Sequence, residues 1–237
     1  MKKLSVLAVA ATFAVSANAQ WSDNFDSYAA GTQLHGVGGW TGWGNSVGAG
    51  ALVSNAQSSS APNSVDIVGA SDLVQEFAGA TSGIWMFSGE VFIPTSFTGI
   101  SWFIMMNTYT SAGGGGGNWS MQQQFDGGTG MILNAGGSNN VVTETQVPFI
   151  RGQWVGFDVT IDLDTNTHTG RYNGAQVVTG AWYGAPGVAA IANIDLFANN
   201  ASSVFYDNLE LQVVPEPGTF IALGVGLASL VALRRRK

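Results

Sequence analysis

The chain has 237 residues, 46% of them hydrophobic and only 10% charged, with 33 glycines and no cysteine. Without cysteine there is no disulfide, no thiol nucleophile and no cysteine-ligated zinc. Between residues 20 and 217 only Arg151 and Arg171 stand against fifteen Asp and Glu, a net charge of −13, so the surface repels phosphate backbones and anionic headgroups, and nucleic acid is excluded as a partner.

Met1-Lys2-Lys3, an apolar run from Leu4 to Val15 and the triplet Ala17-Asn18-Ala19 have the form of a signal peptide over residues 1–19. That form implies passage through the secretion translocon and removal by signal peptidase. Residues 20–212 are enough for one domain with a sizeable core. Their short runs of Val, Ile, Phe, Trp and Thr, broken by Gly, Asn, Ser and Asp, predict an all-β fold, an antiparallel β-sandwich.

Trp21 to Tyr28 alternates apolar and polar residues and reads as the opening strand. His35 to Gly44 then sets Trp40 and Trp43 among glycines. This suits an exposed aromatic platform for stacking on sugar rings; the alternative is that both rings close one open end of the core. Ala51–Val53 and Ser64–Val68 predict short strands around a Ser-rich turn, and Asp72–Ala78 has room for a single helical turn. In Ile84–Pro94 the residues Trp85, Phe87, Gly89, Val91 and Ile93 share one face, which predicts a central strand. Ser101–Met106 is nearly continuous in apolar residues and predicts a strand buried on both sides. Gly113–Gly117 reads as a flexible hairpin tip, because no cation accompanies it as a phosphate loop requires. Asn118–Phe125 and Thr129–Asn134 predict a hairpin, and Asn140–Glu144 a further strand.

The most regular stretch is Trp154–Asp164, with Val155, Phe157, Val159, Ile161 and Leu163 on one face and Gly156, Asp158, Thr160, Asp162 and Asp164 on the other. Carboxylates two positions apart on such a face lie roughly 6.5–7 Å from each other, a spacing that serves glycoside hydrolysis or a cation, although outward acids are also what a solvated sheet face shows. His168 comes next, in a turn without a nucleophile partner. Ala192–Ala198 and Ser203–Leu211 complete the sheets. Pro215 and Pro217 then break any helix, since proline fixes φ and lacks an N–H. Gly218–Leu233 is uncharged and apolar, and Arg234-Arg235-Arg236-Lys237 ends the sequence. As a helix the apolar run would extend about 24 Å, slightly short of a ~30 Å hydrocarbon core, with the basic residues able to snorkel. Lysines near the start and arginines at the end put both ends on the cytoplasmic side.

Pro215-Glu216-Pro217, the apolar run and Arg234, Arg235 and Arg236 together resemble the PEP-CTERM sorting signal, here residues 213–237. The resemblance implies processing near Pro-Glu-Pro by an exosortase, a membrane-embedded transpeptidase-like enzyme, and delivery to the envelope or extracellular matrix. Residues 20–212 resemble concanavalin A-like, laminin-G-like jelly rolls in Asn24–Gly31 with Gly39-Trp40, in Phe87–Pro94, in Tyr172-Asn173-Gly174 and in Tyr206-Asp207-Asn208-Leu209. That likeness implies first and last strands side by side and a structural calcium ion held by Asp23 or Asp26 with Asp207; no other cofactor is expected. β-Glucanases on this fold carry Glu-x-Asp-x-x-Glu, whereas Phe92 and Thr95 stand at the positions after Glu90, so the acid pair is missing. The sequence thus points to a non-enzymatic exported protein that binds carbohydrate, exopolysaccharide in particular, through Trp40 and Trp43. The alternative is a glycoside-active enzyme using Asp158, Asp162 or Glu90.

Overall fold

The computed structural model describes residues 19–136 and 145–215. The expected signal peptide up to Asn18, the strand at 140–144 and the tail from Glu216 onward, with Pro217, Arg234, Arg235 and Arg236, lie outside the described residues. In chain order the strands are β1 (Ala19–Asp23), β2 (Trp40–Gly42), β3 (Leu52–Ser54), β4 (Ser64–Gly69), β5 (Asp72–Glu76), β6 (Ile84–Phe92), β7 (Ile100–Thr110), β8 (Gly116–Asp126), β9 (Met131–Gly136), β10 (Thr145–Pro148), β11 (Trp154–Asp162), β12 (Thr167–Tyr172), β13 (Ala175–Ala181), β14 (Asn193–Asn199) and β15 (Ala201–Val213). They pair antiparallel in two sheets. The first runs β13-β12-β11-β6-β15-β4-β3, with β1 on the same edge of β15 as β4; the second runs β10-β9-β8-β7-β14-β5-β2.

Alternation sets the inner faces of both sheets. In β6 and β11 every second residue is buried, and the register puts Val155 opposite Val91, Val159 opposite Phe87 and Ile161 opposite Trp85. Phe157 faces Gly89, where a Cβ would meet the Phe157 ring at 3.0 Å, so the glycine is what admits the ring. From there Phe157 reaches across the sandwich to Phe103 of β7, with ring centroids 4.8 Å apart, and Phe87 stacks on the same Phe103 at 5.4 Å.

Three expectations change in the structure. Asp72–Glu76 is a strand, not a helical turn, because Leu73 is fully buried in the core and the segment is hydrogen-bonded between β2 and β14. β7 is buried on both sides at Ile104 and Met106 but not at Trp102, which is half-buried on the outer face. The last strand continues to Val213, two residues beyond the Leu211 expected for it, and the Val214 N–H still donates to the Ile84 carbonyl at 2.8 Å. Among the described residues no helix is long and apolar enough to cross a membrane.

His168 is not a solvated turn residue. It points into the sandwich at 1% exposure, edge-on to Trp182, and burial pushes its imidazole down from 6.5 to about 4. The unfolded chain therefore takes up this proton at higher pH than the folded one. The stability tied to neutral His168 is intact above about pH 6.5 and is lost as pH falls toward 4, by about 3 kcal/mol in all. Asp66, raised by burial to about 6, works in the opposite direction over much of that window. The difference between wild type and His168→Leu in urea midpoints across this range isolates the histidine: the variant should lose less stability on acidification, and parallel curves would contradict the assignment.

Candidate functional site

Core-facing residues of the second sheet include Leu73, Phe103, Met105, Met121, Phe125, Ile194 and Leu196. Their neighbours along the strands therefore point outward, and registers bring Asp72, Phe197, Trp102 and Gln124 into one cross-strand row, with Val74, Asp195, Ile104 and Gln122 in the next. A cleft of 370 Å³ lies over these rows, lined by Trp43, Asp72, Trp102, Ile104, Trp119, Gln122, Asp195, Phe197 and Asn199.

One wall of the cleft is carried by a loop. Trp43 stacks on Trp119 with centroids 6.2 Å apart and planes 19° apart, and packs on Tyr109 at 5.1 Å. The Gly44 N–H donates to the Tyr109 hydroxyl at 3.0 Å. The glycine run is the support of this wall: a Cβ on Gly115, at φ +87°, would run into the Trp43 indole, so only glycine lets the two loops meet.

The floor holds two carboxyls. Asp72 and Asp195 are hydrogen-bonded to each other, and Oδ1 of each is buried and accepts from no N–H or hydroxyl of another residue. Burial pushes both acids up, and for Asp195 the neighbouring Asp72 charge adds to it, so the pair shares a proton that resides on Asp195. On the same face, two residues back along β14, Asn193 is fully buried with neither amide atom hydrogen-bonded, and the Thr41 hydroxyl is also unpartnered. Apolar and aromatic walls over a few convergent polar groups are the usual composition of a small-molecule site.

The site residues expected from sequence are placed differently. Trp40 does not join Trp43 in a platform: it is fully buried, and its indole N–H donates to Asp23 Oδ2 at 2.8 Å. The same oxygen accepts the Tyr28 hydroxyl at 2.8 Å, and Oδ1 accepts the Phe25 N–H at 2.8 Å. Asp26 accepts from the Asn63 N–H at 3.0 Å and from Asn24 Nδ2 at 2.8 Å. Asp207 accepts from the N–H groups of Ser59, Ser60 and Asn208 and from the Ser60 hydroxyl. Each acid thus serves its own set of donors, and among the described residues no three His, Cys, Asp or Glu side chains are grouped to hold a metal ion.

The acids considered for glycoside chemistry are likewise occupied. Glu90 Oε2 accepts from Ser59 Oγ at 2.6 Å and Asn208 Nδ2 at 2.7 Å. Asp158 pairs with Arg171 at 2.9 Å, and Asp162 accepts the N–H groups of Asp164 and Thr165 in its own turn, which hold its carboxyl below the usual range. Of the residues that do converge, Trp102, Trp119 and Asp195 lay in segments expected to be strands and Asp72 in one with room for a helical turn, and none was singled out as a site residue. The signal was in Asn193-Ile194-Asp195-Leu196-Phe197-Ala198-Asn199, whose odd positions are polar or aromatic against an aliphatic inner face.

The architecture is that of a jelly-roll β-sandwich. Solved structures that it resembles include a sialidase (10% identity, TM-score 0.56, 84% of this chain and 19% of that one), the cellulose induced protein Cip1 (14%, 0.53, 82% and 98%) and an endo-β-1,4-glucuronan lyase from the fungus Trichoderma reesei (9%, 0.52, 83% and 96%). The chain spans about a fifth of the sialidase, and at these identities the likeness is one of fold. No curated protein matches the sequence. Residues 213–237 match the PEP-CTERM protein-sorting motif, so this is a sandwich protein that carries that signal. The motif implies a secreted, envelope-associated protein with exosortase-type processing.

Proposed function

We propose that the protein is a non-enzymatic carbohydrate-binding component of the cell envelope or exopolysaccharide layer, with its glycan site in the outer cleft of the second sheet. The observation that carries this reading is the convergence of Trp43, Trp102 and Trp119 with Asp72, Asp195 and Gln122 in one cleft. Indole faces take the apolar faces of pyranose rings, and the carboxyl and amide groups beside them take hydroxyls. Binding is favoured over hydrolysis because glycosidases separate their two carboxyls by about 5–5.5 Å or 6.5–9.5 Å, whereas Asp72 and Asp195 are in hydrogen-bond contact. Of the acids considered for glycoside chemistry, Asp158 is paired with Arg171, Asp162 accepts from its own turn and Glu90 accepts from Ser59 and Asn208.

An array of exopolysaccharides probed with wild type and Trp102→Ala tests the proposal. Trp102 is half-buried and sits outside the core, so the variant should keep its melting temperature and lose about tenfold or more in affinity. Equal binding by both would exclude the cleft as the glycan site. Release of reducing ends from any bound polysaccharide, abolished by Asp195→Asn, would favour the enzymatic alternative instead.

A further inference from the structure

The cleft carries an acid pair that shares one proton and has no cationic side chain beside it to offset the remaining charge. Between residues 19 and 215 the cationic side chains are Arg151 and Arg171. Arg151 donates to the carbonyls of Phe97 and Gly127, each at 3.0 Å, with its guanidinium over the Phe149 ring at 4.7 Å, and Arg171 is bound to Asp158. Neither is available to the floor of the cleft. Asp195 is nonetheless 3% exposed, and one oxygen of each acid is directed at no donor in the fold. The shared proton relieves the buried Asp195, and the one negative charge that the pair retains beside aromatic walls favours a cation from outside.

The walls fit one kind of cation. The faces of Trp43, Trp102 and Trp119 favour a positive charge held close to them, and they equally favour a pyranose ring. Calcium fits less well, since it takes deprotonated oxygen ligands, and the two carboxyls of the lining are bonded to each other through a shared proton. Uronic acids and sulfated sugars would add anionic charge to the same place. An amino sugar meets both requirements at once: its ring stacks, and its ammonium supplies three donors to oxygens that lack them.

We propose that the cleft selects glycans bearing free amino groups, deacetylated hexosamine chains, and that Asp72 and Asp195 together receive the ammonium. The inference rests on the carbohydrate-binding reading and narrows it to a substrate class. N-acetylation removes the charge and puts a methyl-bearing amide in its place, so the acetylated chain keeps its stacking surface and loses its partner in the floor.

Calorimetric titration of the exported protein with three β-1,4-linked hexamers, of glucosamine, N-acetylglucosamine and glucose, tests this. The glucosamine hexamer should bind at least about tenfold more tightly than the other two. Asp72→Asn should erase that preference, weakening the glucosamine hexamer by a larger factor than the other two, while the circular-dichroism spectrum and melting temperature report that the fold is kept; Asp72 is the less buried of the pair, and Asp195→Asn serves as the second variant. Equal, Trp102-dependent affinity for all three hexamers would overturn the amine selectivity and leave the carbohydrate reading standing. Absence of binding by the glucosamine hexamer overturns the inference whatever the polysaccharide array shows. Affinity for the glucose hexamer that appears only with added calcium chloride and vanishes in Asp195→Asn would make the pair a metal site and would also overturn it.

Discussion

Replacing Trp40 by alanine should lower stability by about 3–5 kcal/mol, the cost of emptying a large aromatic site in a packed core. The ring is fully buried, with Trp21 at 5.6 Å and Phe25 at 5.7 Å, and its N–H is one of the donors that satisfy Asp23. Truncation leaves a cavity and takes a hydrogen bond from a carboxylate at the same time. For a domain of this size the loss corresponds to a fall in melting temperature of roughly 6–20 °C. Thermal unfolding of Trp40→Ala beside Trp43→Ala checks the separation of roles: Trp43 is half-buried on the wall of the cleft and should cost far less stability while weakening glycan binding. Equal shifts in the two variants would mean that both rings belong to the core.

Asp207→Ala should cost about 3 kcal/mol or more by another route. Its side chain is fully buried and accepts from Ser59 N–H at 2.7 Å, Ser60 N–H at 2.9 Å, Asn208 N–H at 2.7 Å and the Ser60 hydroxyl at 3.1 Å. Alanine leaves the Ser59, Ser60 and Asn208 N–H groups without the acceptor that fixes the loop, and each donor left unsatisfied beside the buried site carries a penalty of roughly 1–3 kcal/mol. Burial pushes this carboxyl up while the donors hold it down, so the group is stabilised as an acceptor by the loop that it anchors. Urea unfolding would register the loss, and limited proteolysis should show new cleavage near Ser59. A variant as stable as wild type, with the same cleavage pattern, would show that solvent replaces the carboxylate.

Trp40 and its partner Asp23 also show what could be read from the chain. The all-β class and the inner faces of β6 and β11 were legible because strict alternation leaves one register that buries Val155, Phe157, Val159 and Ile161 together. Trp40 and Asp23 were both noticed in the sequence, for a sugar platform and a calcium site; in the fold they are partners of each other. Residue type gave the capacity to stack or to ligate, but the partner 17 positions away decided the role. The cleft was not legible for a related reason. Trp43, Asp72, Trp102, Trp119 and Asp195 come from five separate segments, and only the strand order β8-β7-β14-β5 lays them side by side. The glycine run looked like slack, yet Gly115 within it is the close approach that backs Trp43. The sorting signal was legible because it acts as a linear string: Pro215-Glu216-Pro217 and the terminal arginines need no neighbours to be recognised.

The thirteen-residue strand that precedes that signal has a mechanical consequence. β15 is bonded to β6 on one side and to β4 and β1 on the other. A pull along the direction of β15 would load these ladders in shear, so their hydrogen bonds would resist together rather than opening one after another. A domain tethered at that end and holding a polymer in its cleft would carry load through the arrangement of strands best able to bear it.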